Sequence, residues 1–169
     1  RHRYRHDSSN GPDLAVNTNA NADNAGVSGT KPHAYSAMHS GPGRALTAVY
    51  GIFALSASAR AGYQFVSHFD RAPLAYSLSA FSAVVYIVAT VCLAIANRTA
   101  HRIAVVSVLI ELVGVIAVGI FSLVRPELFP EATVWSGFGI GYGFVPLVLP
   151  ILGLLWLIRV DRIAQQYGA

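Results

Sequence analysis

The chain has 169 residues, of which 54% are hydrophobic and only 12% charged, against roughly 25% charged in an ordinary soluble domain, so water is not its main solvent. A formal net charge of +4 does not point to nucleic acid, because the basic residues are scattered over the N-terminal tail and the helix ends without an aromatic-interleaved stripe. The single cysteine, Cys92, sits inside an apolar run, which excludes an internal disulfide and a cysteine zinc site.

Residues 1–40 are rich in Asn, Gly, Ser, Ala and His and poor in large aliphatic side chains. Such a stretch cannot bury enough surface to offset the entropy of ordering, and a disordered polar tail is expected. His2, His6, His33 and His39 lack the short fixed spacing of a metal-ligand set. The chain begins at Arg1 and its one methionine, Met38, precedes the first apolar run. Two readings follow, a fragment of a longer product or a natural start at Met38, and no function is rested on the tail.

From residue 41 onward the pattern predicts an all-α membrane domain, residues 41–169, built as a four-transmembrane-helix bundle. A bilayer core of about 30 Å needs roughly 20 apolar residues in a helix. Four runs are candidates: residues 45–66, interrupted by Arg60 and Gln64; residues 74–96, without a charge; residues 103–124, carrying Glu111; and residues 142–158. Pro146 and Pro150 remove two backbone donors from the last run and are expected to kink or unwind it. A competing reading takes Arg44, the apolar residues 46–55 and Ala57-Ser58-Ala59 as a secretory signal with an A-x-A cleavage site. Apolar residues continue through Tyr63, Phe65 and Val66 beyond that site, which favours an intact first span.

Arg44, Arg98, Arg102, Arg159 and Arg162 fall on one side of the four-span arrangement, whereas Arg71 and Arg125 share the other side with Asp70, Glu127 and Glu131. Basic residues near span ends stay cytoplasmic, which predicts a multi-pass protein of the plasma membrane with both termini in the cytoplasm.

Glu111 is the strongest functional candidate, since a carboxyl at the centre of a span costs roughly 2.5 to 3.5 kcal/mol on insertion scales. Helical spacing places Ser107, Glu111 and Gly114 on one face, and Ser56, Arg60, Gln64 and Ser67 near one face of the first span. An ion pair between Arg60 and Glu111 is one expectation, although at about 1.5 Å per residue they lie at depths of about 22 Å and 12 Å. The alternatives are a carboxyl hydrogen-bonded to Ser82 or Tyr86 of the second span, or a proton relay, with Arg60 snorkelling to the outer headgroups. Small residues at Ala54, Ser58 and Gly62, and at Ala75, Ser79 and Ala83, offer ridges for close helix approach. Between the third and fourth spans, residues 131–136 are expected to lie on the headgroups as one short turn. Trp135 and Phe129 are expected to anchor there, and Trp156 is a further interfacial anchor. Glycines at alternate positions from Gly137 to Gly143 do not match a nucleotide loop. No Ser-His-Asp set, HExxH, CxxC or Walker-type motif occurs, so no catalytic residue, metal or cofactor is expected.

The stretches RIAVVSVLIELVGVIAVG (residues 102–119) and PELFPEATVWSGFGIGYGFVPLVLPILGLLWL (residues 126–157) resemble the uncharacterised small four-span integral membrane proteins of actinobacteria. That resemblance implies an accessory subunit of a larger envelope assembly, lipid-import complexes among them. It carries over no catalytic residue. The expected function is a non-enzymatic accessory or scaffold subunit that packs against larger membrane proteins and the lipid bilayer. The alternative is a small proton- or ion-coupled transporter or channel-like protein using Glu111 beside a broken fourth helix.

Overall fold

The computed structural model describes residues 35–67 and 72–167. Among them every regular element is helical, and no strand occurs. The long helices are α1 (Gly41–Ser67), α2 (Pro73–Ile95), α3 (Arg98–Val124) and α4 (Val145–Tyr167). Short 3-10 segments occupy Ser36–His39, Pro126–Leu128 and Ser136–Tyr142.

Local chemistry sets the boundaries. Pro73 opens α2 from the first turn, where its missing donor has no partner to lose. The helix ends at Ala96, which adopts a left-handed conformation with φ 51°. The next residue, Asn97, caps α3 by accepting the Ala100 amide at 2.7 Å. Two residues thus reverse the chain, and α2 and α3 run antiparallel. Pro126 follows α3 and prevents its continuation.

Each helix packs against its neighbour in sequence, whereas α1 and α4 touch only slightly. Side-chain links align the ends. His39 meets the Ala94 carbonyl at 2.9 Å, placing the start of α1 beside the end of α2, and His101 meets the Leu157 carbonyl at 2.9 Å, placing the start of α3 beside the end of α4. The starts of α1 and α3 therefore lie with the ends of α2 and α4.

The buried face of α1 is Tyr50, Ala54, Ala57, Ala61 and Gln64. This corrects the expected Ala54, Ser58, Gly62 ridge, since Gly62 is exposed and Ser58 half-buried. The buried stripe follows alternating spacings of three and four, with Ala54, Ala57 and Ala61 as its small middle part. On α2 the expected Ala75, Ser79 and Ala83 are buried. Small residues on both sides bring the two backbones close.

Outside this core the surface is apolar. Leu55 is 75% exposed, Val113 65% and Leu155 61%, while Glu111 is 0% exposed. This inverted polarity is that of a chain solvated by lipid or by other apolar surfaces. Two helices, α2 and α3, are long and apolar enough to cross a membrane, and a third span results if Ser136–Tyr142 and α4, bent by 99°, count as one. With 27 residues α1 is long enough, but it is diluted by Gly, Ser, Arg44 and Arg60.

Three expectations change here. Ser36–His39 form a 3-10 turn where a disordered tail was expected over residues 1–40, and two side chains of this stretch are packed: Met38 is 1% exposed and Tyr35 lies against the His101 ring at 5.2 Å. These two side chains supply the apolar surface that packs there. Residues 1–34 lie outside the described residues, as do residues 68–71 with Asp70 and Arg71. Next, Pro146 does not break a helix. It is the second residue of α4, where proline is tolerated. The bend lies just before it, at Gly143 and Phe144, both left-handed at φ 62° and 60°. Pro150 does sit inside α4, which leaves the Pro146 carbonyl without its helical donor.

Finally, residues 133–136 are buried rather than laid on the headgroups. Three of their amides are met within the segment: the Thr133 hydroxyl accepts the amides of Trp135 at 3.2 Å and Ser136 at 3.1 Å, and the Ser136 hydroxyl accepts the Thr133 amide at 2.9 Å. Backbone satisfied in this way can enter an apolar interior. Trp135 then packs on α3 at Gly114, where a Cβ would stand 2.7 Å from the indole ring.

Gly114→Val is accordingly expected to destabilise the bundle by about 1–3 kcal/mol through overpacking. Gly62→Ala, whose methyl group meets open space, is expected to be neutral or stabilising by up to about 1 kcal/mol. Equilibrium unfolding in mixed detergent micelles measures both.

Candidate functional site

The candidate site is built around Glu111, and each surrounding element contributes one group. From α1 the Tyr50 hydroxyl donates to Glu111 Oε2 at 2.8 Å, with both residues 0% exposed. From α2 the side chain of Tyr86 borders the same carboxyl. Its hydroxyl accepts from Trp135 Nε1 at 3.2 Å. From α4, Gly153 lets the chain pass close to Tyr50, since a Cβ there would lie 3.3 Å from the phenol oxygen. Aromatic rings seal the cluster: Tyr86 lies 6.2 Å from Tyr50 and 5.6 Å from Phe53, and Phe81 meets Trp135 edge-on at 6.1 Å.

Of the candidates named from sequence, Ser107 shares the buried face of α3 with Glu111, one turn earlier. Arg60 is elsewhere. Its guanidinium donates to the Tyr142 hydroxyl at 3.2 Å and to the Ala132 carbonyl. The expected Arg60 to Glu111 ion pair is therefore not formed. Tyr50 already occupies the carboxyl, and Arg60 follows it by about 15 Å along α1 at 1.5 Å per residue. Its charge tethers the segment before α4 to the end of α1. Gln64 is buried at 8% exposure near that same end, with Oε1 unpartnered among the described residues.

Trp135 was expected at the interface and is 1% exposed in the core. Its ring is accommodated by Gly114 and its N–H by Tyr86, so it has no need of the headgroup region. Trp156 is half-buried, and its Nε1 is buried without an acceptor among the described residues. The donor to Glu111 was missed: of the expected hydroxyls, Ser82 donates instead to the Ser79 carbonyl at 2.8 Å. Tyr50 is a phenol in the middle of an otherwise apolar run, a signal as legible as Tyr86 in α2.

Chemically, the carboxyl accepts one hydrogen bond and keeps one oxygen, Oε1, unpartnered among the described residues. No guanidinium or ammonium group meets it there. Among the described residues no group of three His, Cys, Asp or Glu side chains is placed to hold a metal ion. At the far end of α3, the Arg125 guanidinium beside Glu127 holds that exposed carboxyl below the usual carboxylate range.

No family model, curated protein or solved structure matches this chain. Fold and site together define the class: a helical protein with two or three helices fit to cross a membrane and a carboxyl–phenol link in its interior.

The link is testable by a double-mutant cycle. Tyr50→Phe leaves the carboxyl without its donor and Glu111→Leu leaves the phenol without its acceptor, each expected to cost about 1–3 kcal/mol. The double variant should fall short of the summed cost by roughly 0.6–1.7 kcal/mol, the coupling found for hydrogen bonds between membrane helices. Additive losses in the same unfolding assay would show that the two side chains act independently.

Proposed function

We propose that this chain is an integral protein of the plasma membrane with four spans and cytoplasmic termini, acting without enzymatic activity as an accessory or scaffold subunit of a larger membrane complex. The observation that carries the reading is the combination of a closed polar centre with an open apolar seam. Glu111, Tyr50 and Tyr86 line none of three clefts: one at the basic end of α3 and α4, one between α1 and α4, and one around Arg60. A transport path would have to reach that carboxyl.

The seam between α1 and α4 is a cleft of about 790 Å³ walled by Leu46 and Val49 on one side and Leu149, Leu152 and Trp156 on the other. The unpartnered indole N–H of Trp156 lies beside it, and an orphan donor in apolar surroundings costs roughly 1–3 kcal/mol. A helix of another subunit, bringing an acceptor, would fill the seam and relieve that cost. The four-span arrangement is supported by the common end shared by the starts of α1 and α3 and the ends of α2 and α4, where Arg44, Arg98, Arg102, Arg159 and Arg162 gather.

Extraction of the tagged full chain in mild detergent should recover a stable larger complex containing other membrane proteins. The purified chain alone should move no protons or ions in liposomes. Recovery of the chain by itself, or a flux that Glu111→Gln abolishes, would replace this reading with the transporter. Orientation is checked in a Cys92→Ala background: Thr99→Cys should label with an impermeant maleimide only once the cytoplasmic face is opened, and Glu127→Cys in intact cells. Labelling of both from one side would exclude the arrangement.

A further inference from the structure

The cleft between the start of α3 and the end of α4 has a volume of about 1080 Å³. Arg98, Arg102 and Arg162 line its polar part, and all three are exposed. None has an ion pair among the described residues. The one carboxylate in the lining, Asp161, accepts from Gln165 Nε2 at 2.7 Å and leaves the cleft with an excess of positive charge. The first turn of α3 adds to it, because Asn97 caps only the Ala100 amide and the helix begins here with its positive dipole end.

The deeper wall is of opposite character. Val105 and Val106 of α3 and Leu157 and Ile158 of α4 form it, and further along the same two helices, away from the arginines, Leu109 and Ile151 are 45% and 44% exposed. The floor is fixed. His101, 5% exposed, clamps α3 to α4 through the Leu157 carbonyl, and Tyr35 covers its ring. A carbonyl only accepts, so Nε2 donates and the imidazole cannot turn toward a ligand without breaking the clamp.

We infer that this cleft binds the phosphodiester headgroup of an anionic glycerophospholipid, with an acyl chain running down the α3–α4 groove. Three cations in one cleft, a helix N-terminus and an adjoining apolar wall match a molecule that is anionic at one end and hydrocarbon at the other. A free phosphate would satisfy the arginines but leave the wall unused. The inference rests on the chain lying in a bilayer and not on its having protein partners, so failure to recover a complex leaves it standing.

The test is native mass spectrometry of the purified full chain in neutral detergent, titrated with dioleoylphosphatidylglycerol, dioleoylphosphatidylcholine, inorganic phosphate or glycerophosphoglycerol. The anionic lipid should bind in preference to the zwitterionic one. Arg102→Gln and Arg162→Gln should each weaken it about fivefold, and together about 25-fold. Arg125→Gln, which removes the same charge at the opposite end, should leave binding unchanged. A lipid-free unfolding temperature equal to that of the unaltered chain establishes that the variants are folded. Equal binding of the two lipids, undiminished binding by the double variant, or equal loss with Arg125→Gln would overturn the assignment. Competition by inorganic phosphate as effective as by the lipid would also overturn it, making the cleft a phosphate site.

Discussion

A carboxyl placed in the middle of an apolar helix bundle must be met by a donor from another helix, and here that donor is the Tyr50 hydroxyl, 2.8 Å from Glu111. The constraint is geometric as well as energetic. Turning α3 by one residue, about 100°, would carry Glu111 from the interior toward the lipid face, at a cost of the order of 2.5 to 3.5 kcal/mol. Sliding α1 by one turn, about 5.4 Å, would remove the phenol from reach. One hydrogen bond thus fixes both the rotation of α3 and the register of α1. Apolar helices surrounded by lipid have little else to specify either, since hydrocarbon contacts with lipid and with neighbouring helices are nearly equivalent.

The rest of the interior is arranged to make that contact available. Tyr50 spans the distance to α3 because α2 opposes α1 with Ala and Ser, which bring the helices close. Tyr86 of α2 then accepts from Trp135, and the indole packs on α3 at Gly114, one turn beyond Glu111. Residues 133–136 enter the bundle with the amides of Thr133, Trp135 and Ser136 met by their own Thr133 and Ser136 hydroxyls. Leaving the core again requires the chain to pass through Gly137, Phe138 and Gly139, all with φ between 56° and 80°. For Phe138 that backbone costs of the order of 1 kcal/mol, and its ring recovers contact by docking on Gly119.

The helical character of the chain and the second and third apolar runs were legible because they depend on composition summed over twenty residues, a quantity that single side chains do not upset. Glu111 was legible for the same reason, as an exception to its run. What escaped depends on the third dimension. Charge complementarity favoured Arg60 as the partner, yet Arg60 follows Tyr50 by nearly three turns of α1 and reaches Ala132 and Tyr142 instead. Trp135 has the residue type of an interfacial anchor, and only the Gly114 surface on another element reveals that it can be buried. Pro146 and Pro150 look alike in sequence. The difference lies in where α4 begins, which the left-handed backbone at Gly143 and Phe144 decides.

An unequal distribution of polar satisfaction follows from this packing order. α1 pairs with α2, α2 with α3 and α3 with α4, whereas α1 and α4 meet over few residues and leave an apolar cleft between them. In the interior, Glu111 Oε2 has its donor and Trp135 Nε1 its acceptor, while Glu111 Oε1 and the Ser79 hydroxyl have no partner among the described residues. At the edge, Trp156 keeps a buried N–H without an acceptor beside an apolar cleft of about 790 Å³. A buried donor without an acceptor costs more than a typical internal hydrogen bond returns. The orphan donor at the α1–α4 cleft is the feature that the proposed subunit contact would use, and it lies apart from the arginine-lined cleft of α3 and α4 where a lipid headgroup is proposed.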